Sequence, residues 1–199
     1  MSVIRCREAR AEIERAACAR LRADVYVRER AWLPEDRVDD GLEADHDDAR
    51  SVHLLATRGF EPVGTARLIL RTAGHPLPSE ALLDAPLPQG RSAAEVSRLA
   101  VARHARGDSE VLIALCAGLY STAVRDRIDD LYAMVEKRLH RHLVWLGFPF
   151  RRVGRQHWIY ESWNYVVAME VGLAKPRLLS ALDRYTACSA EEAVDVRAA

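Results

Sequence analysis

"AAEVSRLAV", residues 93–101, is the stretch on which the fold turns. Val96, Leu99, Ala100 and Val101 give it the apolar content of a core strand, yet Glu95, Ser97 and Arg98 sit in its first half. Side chains alternate across a strand, so parity places Glu95, Ser97, Leu99 and Val101 on one face, and Arg98 on the other beside Val96 and Ala100. The question is why a core strand should carry a carboxylate on one side and a guanidinium on the other.

The segments around it read outward as alternating helices and strands. "SVIRC" (2–6) suits a short first strand, and from Glu8 to about Glu29 the residues Ile13, Ala17, Leu21 and Val25 recur at helical spacing. Pro34 stops any continuation, and "PEDRVDDGLEADHDD" reads as a polar surface loop. "SVHLLAT" (51–57) and "PVGTARLILR" (62–71) form a hairpin through "RGFE", and residues 72–92, with Pro76, Pro78, Pro86 and Pro88, form a loop with room for one helical turn. After 93–101, residues 109–127 are a helix with Ser109 placed to cap it, "LYAMV" (131–135) is a buried strand, and 136–146 is a helix closed by Gly147. "FPFRRVG" (148–154) and "WIYESWNYVVAMEV" (158–171) are two further strands, and a helix from about Pro176 to Tyr185 precedes a polar tail. This order predicts an α/β fold with a mixed central sheet flanked by helices, a single domain over 1–187 and a disordered 188–199. There is no GxGxxG, so a dinucleotide fold is not indicated.

Composition narrows the function. The chain has 199 residues, a formal net charge of zero and 49% hydrophobic residues, which argues against a general nucleic-acid binder. Of the 29 basic residues only Lys137 and Lys175 are lysines, so Schiff-base chemistry is disfavoured. The charge is uneven: residues 35–48 hold eight acids and one Arg, whereas 91–155 hold twelve bases and seven acids. Cys6, Cys18, Cys116 and Cys188 lack disulfide or zinc spacing, and no segment suits a signal peptide or membrane span, so a reduced, cytoplasmic protein is expected. "DHDD" lacks the turn glycine and distant Glu of a calcium loop, and no metal is expected.

The motifs resemble a known group. The element order resembles the GNAT N-acyltransferase fold. "RADVYVRERAW" (Arg22, Tyr26, Trp32), "EADHDD" (Glu43, Asp45, Asp48), "VGTARLIL" (Arg67) and "EVSRLAV" (Glu95, Ser97, Arg98) together resemble the acyl-homoserine-lactone synthases and the related long-chain N-acyl amino acid synthases. "LYAMVEKRLHRHLVWLGFPFRRVG" is more similar to the N-acyl amino acid and exosortase-associated branch. Tyr26 stands where the group usually has Phe. Two larger features depart from the pattern: "ARHARGDSE" replaces the Gly-rich pyrophosphate loop of ordinary acetyl-CoA enzymes, and the acidic loop has two extra residues after Trp32.

The resemblance implies transfer of a fatty acyl chain from an acyl carrier protein thioester, or acyl-CoA, to the amine of an amino acid or derivative. No cofactor is tightly bound, and S-adenosylmethionine is a co-substrate in the lactone-synthase alternative. A non-catalytic acyl-carrier binding module is the alternative outside enzymes. Glu95 is the expected base, its carboxyl pKa raised by Leu99 and Val101, and Ser97 on its face and Arg98 on the opposite face complete the catalytic candidates. Arg98 is expected to anchor the acidic loop and Arg67 to pair with Asp45, Asp48 or Glu95. Arg22, Tyr26, Trp32, Asp45, Asp48 and Arg67 are expected to bind substrate, with Arg22 holding the acceptor carboxylate. Leu99, Ala100, Val101, Arg103, Arg106 and Gly107 are expected along the acyl-pantetheine arm. Leu112, Leu115, Leu119, Met134 and Trp145 are core residues, some of them tunnel wall. Lys137, Arg138, Arg141, Arg151, Arg152 and Arg155 are the face offered to an acidic carrier protein.

Overall fold

A computed structural model describes residues 3–107, 109–174 and 182. The first strand, β1 (Ile4–Glu8), leads into α1 (Glu12–Arg22), whose axis continues as a π-helical segment, Ala23–Glu29. The acidic loop holds a small hairpin of β2 (Val38–Asp39) and β3 (Leu42–Glu43), turned by Asp40 and Gly41. Then follow β4 (Ser51–Arg58), β5 (Glu61–Leu70), β6 (Ala93–Val101), α2 (Glu110–Arg125), β7 (Asp130–Glu136), α3 (Lys137–Leu146), β8 (Arg151–Ile159) and β9 (Ser162–Glu170). The central sheet has seven strands in the order β1-β4-β5-β6-β7-β9-β8. Only β6 and β7 run parallel. The expected mixed α/β sheet is therefore present.

The elements follow their sequence signals, with departures at the β8–β9 turn and at the cap of α2. The turn between the last two strands falls at Tyr160–Glu161, inside the segment read as one strand. Ser109 occupies the N-cap of α2, yet its side chain makes no capping bond. The helix expected over 176–185 and the tail 188–199 lie outside the described residues, except for the buried helical Leu182.

The core forms where α2 packs on β1, β4 and β5. Gly64 of β5 is required there, because a Cβ would stand 2.7 Å from Val111 and 3.1 Å from Leu115. The opposite face of β5 carries Thr65 and Arg67, turned toward α1 and the acidic loop. Two irregularities in β6 open the site. Its pairing with β7 covers only Ala93–Val96 against Asp130–Ala133, so the two parallel strands part beyond Val96. On the other edge, Gly64 and Thr65 face Val101 and Ala100 while Arg67 faces Ser97, so two steps on β5 span three on β6. That extra residue is a β-bulge, and Arg98 takes up the kink at φ +49°.

Candidate active site

The bulge answers the question posed by the strand. Glu95 and Ser97 face the same side as Arg67 and Ile69, as parity predicts. Arg98 does not point away: its left-handed backbone swings the guanidinium back to the same side, where it bonds Glu43 at 3.1 Å and Asp45 at 2.9 Å. Beyond the bulge the parity is inverted. Ala100 is buried against Val25 and Tyr26, which corrects its expected place on the pantetheine path. Leu99 and Val101 line an open cleft on the α2–α3 side rather than surrounding Glu95.

Glu95 is 5% exposed and lies under the proline-rich loop. Its Oε2 accepts bonds from the Ser79 backbone N–H at 2.9 Å and the Ser79 hydroxyl at 2.7 Å. Burial raises its pKa above the ordinary carboxylate range, the two Ser79 bonds oppose that shift, and Asp47 and Arg67 act in opposite directions from further away. The expected rise is present, but its cause is the covering loop and not Leu99 and Val101. Among the described residues Oε1 accepts no hydrogen bond, and the carboxyl borders a cleft of about 300 Å³ with Ile69, Leu82 and Asn164.

Three arginines and three carboxylates form the frame beneath. Arg67, 2% exposed, bonds Asp45 at 2.5 Å, Asp48 at 2.7 Å and the Ser97 hydroxyl at 2.9 Å. Arg22 is also 2% exposed, holds both Asp48 oxygens at 2.8 Å, and meets the buried Glu43 carboxylate at 2.7 Å. This corrects the expectation that Arg22 grips an acceptor carboxylate: its guanidinium is committed to the acidic loop and shielded from any ligand. Despite burial, Arg22 and Arg67 hold the Asp48 carboxyl well below the usual range. So Arg22, Arg67, Arg98, Glu43, Asp45 and Asp48, scattered over 77 positions of sequence, make one cluster that fixes the bulge.

A cavity of about 450 Å³ enters the gap between β6 and β7. Its walls come from α2 (Cys116, Leu119), α3 (Leu139, Leu143) and the Phe148–Phe150 segment, an apolar lining suited to an acyl chain. Of the residues expected in the tunnel, Leu119 and Met134 line this cavity, Leu112 and Trp145 line the open cleft, and Leu115 is fully buried core. Tyr26 donates to the Leu99 carbonyl at 3.0 Å and meets Trp32 edge to face at 5.5 Å. Trp32 stacks on Tyr160 at 5.1 Å. Tyr160, Ser79 and Asn164 had no motif to mark them: two arrive from turns or loops far along the chain, and Asn164 lies at the start of β9.

The open cleft is lined by Arg106, Gly107 and Ser109 on one side and Lys137, Arg138 and Arg141 on the other. Arg106 is already paired with Glu29, and Arg103 is exposed. Arg151, Arg152 and Arg155 lie away from it on β8, Arg152 against Tyr165 and Arg155 near Asp84. His140 bonds Tyr165 and Phe150 while His142 stacks on Trp145, so the two histidines do separate structural work. Among the described residues no cluster of three metal-ligating side chains occurs, and no helix is long and apolar enough to cross a membrane.

Among the described residues, the β7-facing edge of residues 97–101 has no strand partner, which leaves that edge open to the gap. A buried carboxylate, an apolar chamber and an unpaired strand edge meet along β6.

Several solved structures share the fold. The AHL synthase LasI superposes with a TM-score of 0.74 at 19% identity, covering 92% of this chain and 95% of its own. BjaI, a CoA-dependent acyl-homoserine lactone synthase solved with SAM and isopentyl-CoA, gives 0.72 at 24% identity over 94% and 90%. FeeM, an N-acyl amino acid synthase from uncultured soil microbes, gives 0.66 at 19% identity over 87% and 93%. No curated protein matches by sequence. The family profile of the N-acyl amino acid synthase FeeM matches residues 17–171, from α1 through β9, and so includes every residue of the ionic frame, Glu95 and the parted strands. With that match over most of its length, the chain belongs to the FeeM family of N-acyl amino acid synthases and is an N-acyltransferase.

Proposed function

We propose that the enzyme acylates the amine of a free amino acid, using an acyl carrier protein thioester as donor and Glu95 as general base. The amine nitrogen attacks the thioester carbonyl carbon, and Glu95 accepts its proton directly or through one water. Backbone N–H groups of the unpaired β6 edge stabilise the oxyanion as it forms. The C–S bond then breaks, the sulfur leaves as the pantetheine thiol after taking up a proton, and the amide remains.

One observation carries the choice of acceptor. Glu43, Asp45 and Asp48 are all spent on Arg22, Arg67 and Arg98, so the carboxylates of the acidic loop beside the bulge hold the ionic frame and are not offered to a bulky sulfonium. Glu95 Oε1 accepts no hydrogen bond among the described residues and borders the cleft, which suits one small amine. The second reading, a lactone synthase consuming S-adenosylmethionine, is favoured by the aromatic group of Tyr26, Trp32 and Tyr160, whose faces attract cations. Purified enzyme given acyl donor and free amino acids should form an N-acyl amino acid. Given donor and S-adenosylmethionine, it should release no methylthioadenosine. Stoichiometric methylthioadenosine would establish the second reading instead.

A further inference from the structure

We propose that the ring of Tyr160 determines how this enzyme partitions its acyl group: held across the junction of the acyl chamber and the acceptor cleft, it bars water from the thioester and forms the wall against which the amine packs. The inference rests on the acyl-transfer reading of the site.

The backbone is the first observation. Tyr160 and Glu161 form the two-residue turn between β8 and β9, both at positive φ, +56° and +57°. A turn of this kind requires the left-handed conformation twice, which is why Asn-Gly and Asp-Gly dominate it. The same chain shows the ordinary solution in its other two-residue hairpins, where Asp40 and Gly41 turn β2 into β3 and Gly59 opens the turn from β4 to β5. An aromatic residue followed by Glu is a poor choice for local folding, and such strain persists where the surroundings over-determine it.

The surroundings are the second observation. Tyr160 lines both the 450 Å³ chamber and the 300 Å³ cleft, and it is the residue of the β8–β9 turn that does so. Its ring stacks on Trp32 at 5.1 Å and meets Tyr26 edge to face at 6.1 Å. Trp32 is backed in turn by the Arg30 guanidinium at 5.4 Å, and Arg98 lies over Tyr26 at 5.5 Å. The turn is therefore drawn from the far edge of the sheet onto the π-helical segment and the β6 bulge, closing the gap that the parting of β6 and β7 leaves open. A reactive thioester in that gap has two competing nucleophiles, the amine and water. Each gives free thiol, with an amide in one case and a fatty acid in the other. A ring at the junction favours the amine by excluding water and by filling the side of the cleft opposite Glu95.

The test measures amide and fatty acid formed from one acyl thioester, together with the melting temperature, in Tyr160→Asn and Tyr160→Phe enzymes. Asn removes the ring and is at ease in the left-handed conformation, so its melting temperature should stay within about 2–4 °C of the unaltered enzyme or rise. Its ratio of amide to fatty acid should fall at least tenfold, with a raised KM for the amine. Phe keeps the ring, and its ratio should stay within about twofold. An Asn variant with an unchanged ratio overturns the proposal. So does a Phe variant that falls as far as Asn, or an Asn variant that simply loses stability. The ratio is read with whichever amine the unaltered enzyme acylates, so a different acceptor would refute the choice of substrate and not the role of this ring.

Discussion

Glu95 meets two opposing demands. As the proposed base it must be ionised to accept a proton, yet its strand buries it under the 72–92 loop, where ionisation is disfavoured. The two Ser79 bonds to one oxygen keep the ionised form accessible while leaving the other oxygen for the amine. Replacing Glu95 with Gln keeps the shape and the bond from the Ser79 N–H but removes the proton acceptor. It should lower turnover by about 10²–10⁴-fold. It should not lower the melting temperature at neutral pH, because a disfavoured buried charge has been removed. Near-normal turnover in the purified variant would remove Glu95 from the mechanism. The raised pKa also has a sign. The base works only when deprotonated, so kcat/KM should rise with pH through a value above the ordinary glutamate range of about 4.3. A pH profile flat from pH 5 upward would count against that assignment. At this scale the sequence was informative for Glu95, Ser97 and Arg67, whose strand parity holds up to Ser97. It could not reveal Ser79 or Tyr160, which reach the site only through the tertiary path of a proline-rich loop and a distant turn.

The element that organises the site is a defect in β6. A regular strand would have sent Arg98 to the opposite face, as alternation alone predicts, and would have left Asp45 with one arginine instead of two. The extra residue is legible only against β5, because a bulge is a property of a pair of strands. The helices and strands themselves were readable from periodicity, and so were the partners of Arg67. The commitment of Arg22 was not, since helical spacing cannot say whether a guanidinium faces a ligand or a folded loop. Its burial fixes the consequence of losing it. Arg22→Met strands Glu43, which is 0% exposed, without one of its two arginines, and should destabilise the protein by about 3–5 kcal/mol in denaturant unfolding. A loss below about 1 kcal/mol would mean that Arg98 alone neutralises Glu43. The same frame sets the acid limit. Asp48 is depressed in the folded state, so its contribution is complete above the unfolded aspartate value near 3.9 and is lost as the pH falls below it. Unfolding measured below pH 4 should therefore be steeper in the native enzyme than in an Asp48→Asn variant.

Across the whole molecule, charge and shape separate the two substrates. The chain is neutral, with a sequence pI near 7.1, so its basic groups matter only where the fold gathers them. It gathers Lys137, Arg138 and Arg141 of α3 along the cleft that leads from Gly107 and Ser109 toward the parted strands. Arg151, Arg152 and Arg155 fall outside that rim, so the basic stretch seen in sequence is two surfaces and only α3 borders the entrance. A CoA pyrophosphate would draw on two features at the start of α2, the backbone N–H groups, which the Ser109 side chain does not cap, and the Arg106 guanidinium, which is paired with Glu29. A carrier protein needs neither feature, because it brings its own acidic surface to the rim and threads only the pantetheine arm inward. The donor preference should therefore reside in exposed charge. A Lys137→Glu, Arg141→Glu enzyme should lose at least about tenfold in kcat/KM with acyl carrier protein, and the native enzyme should lose activity with that donor as salt screens the contact over a Debye length of about 8–10 Å. Both changes should leave turnover of a simple acyl-pantetheine thioester intact, since that donor fills the chamber without touching the rim. If the double variant loses both donors equally, α3 shapes the chamber and not the docking. If the native enzyme uses acyl-CoA and acyl carrier protein equally at every salt concentration, the donor is recognised by its arm alone.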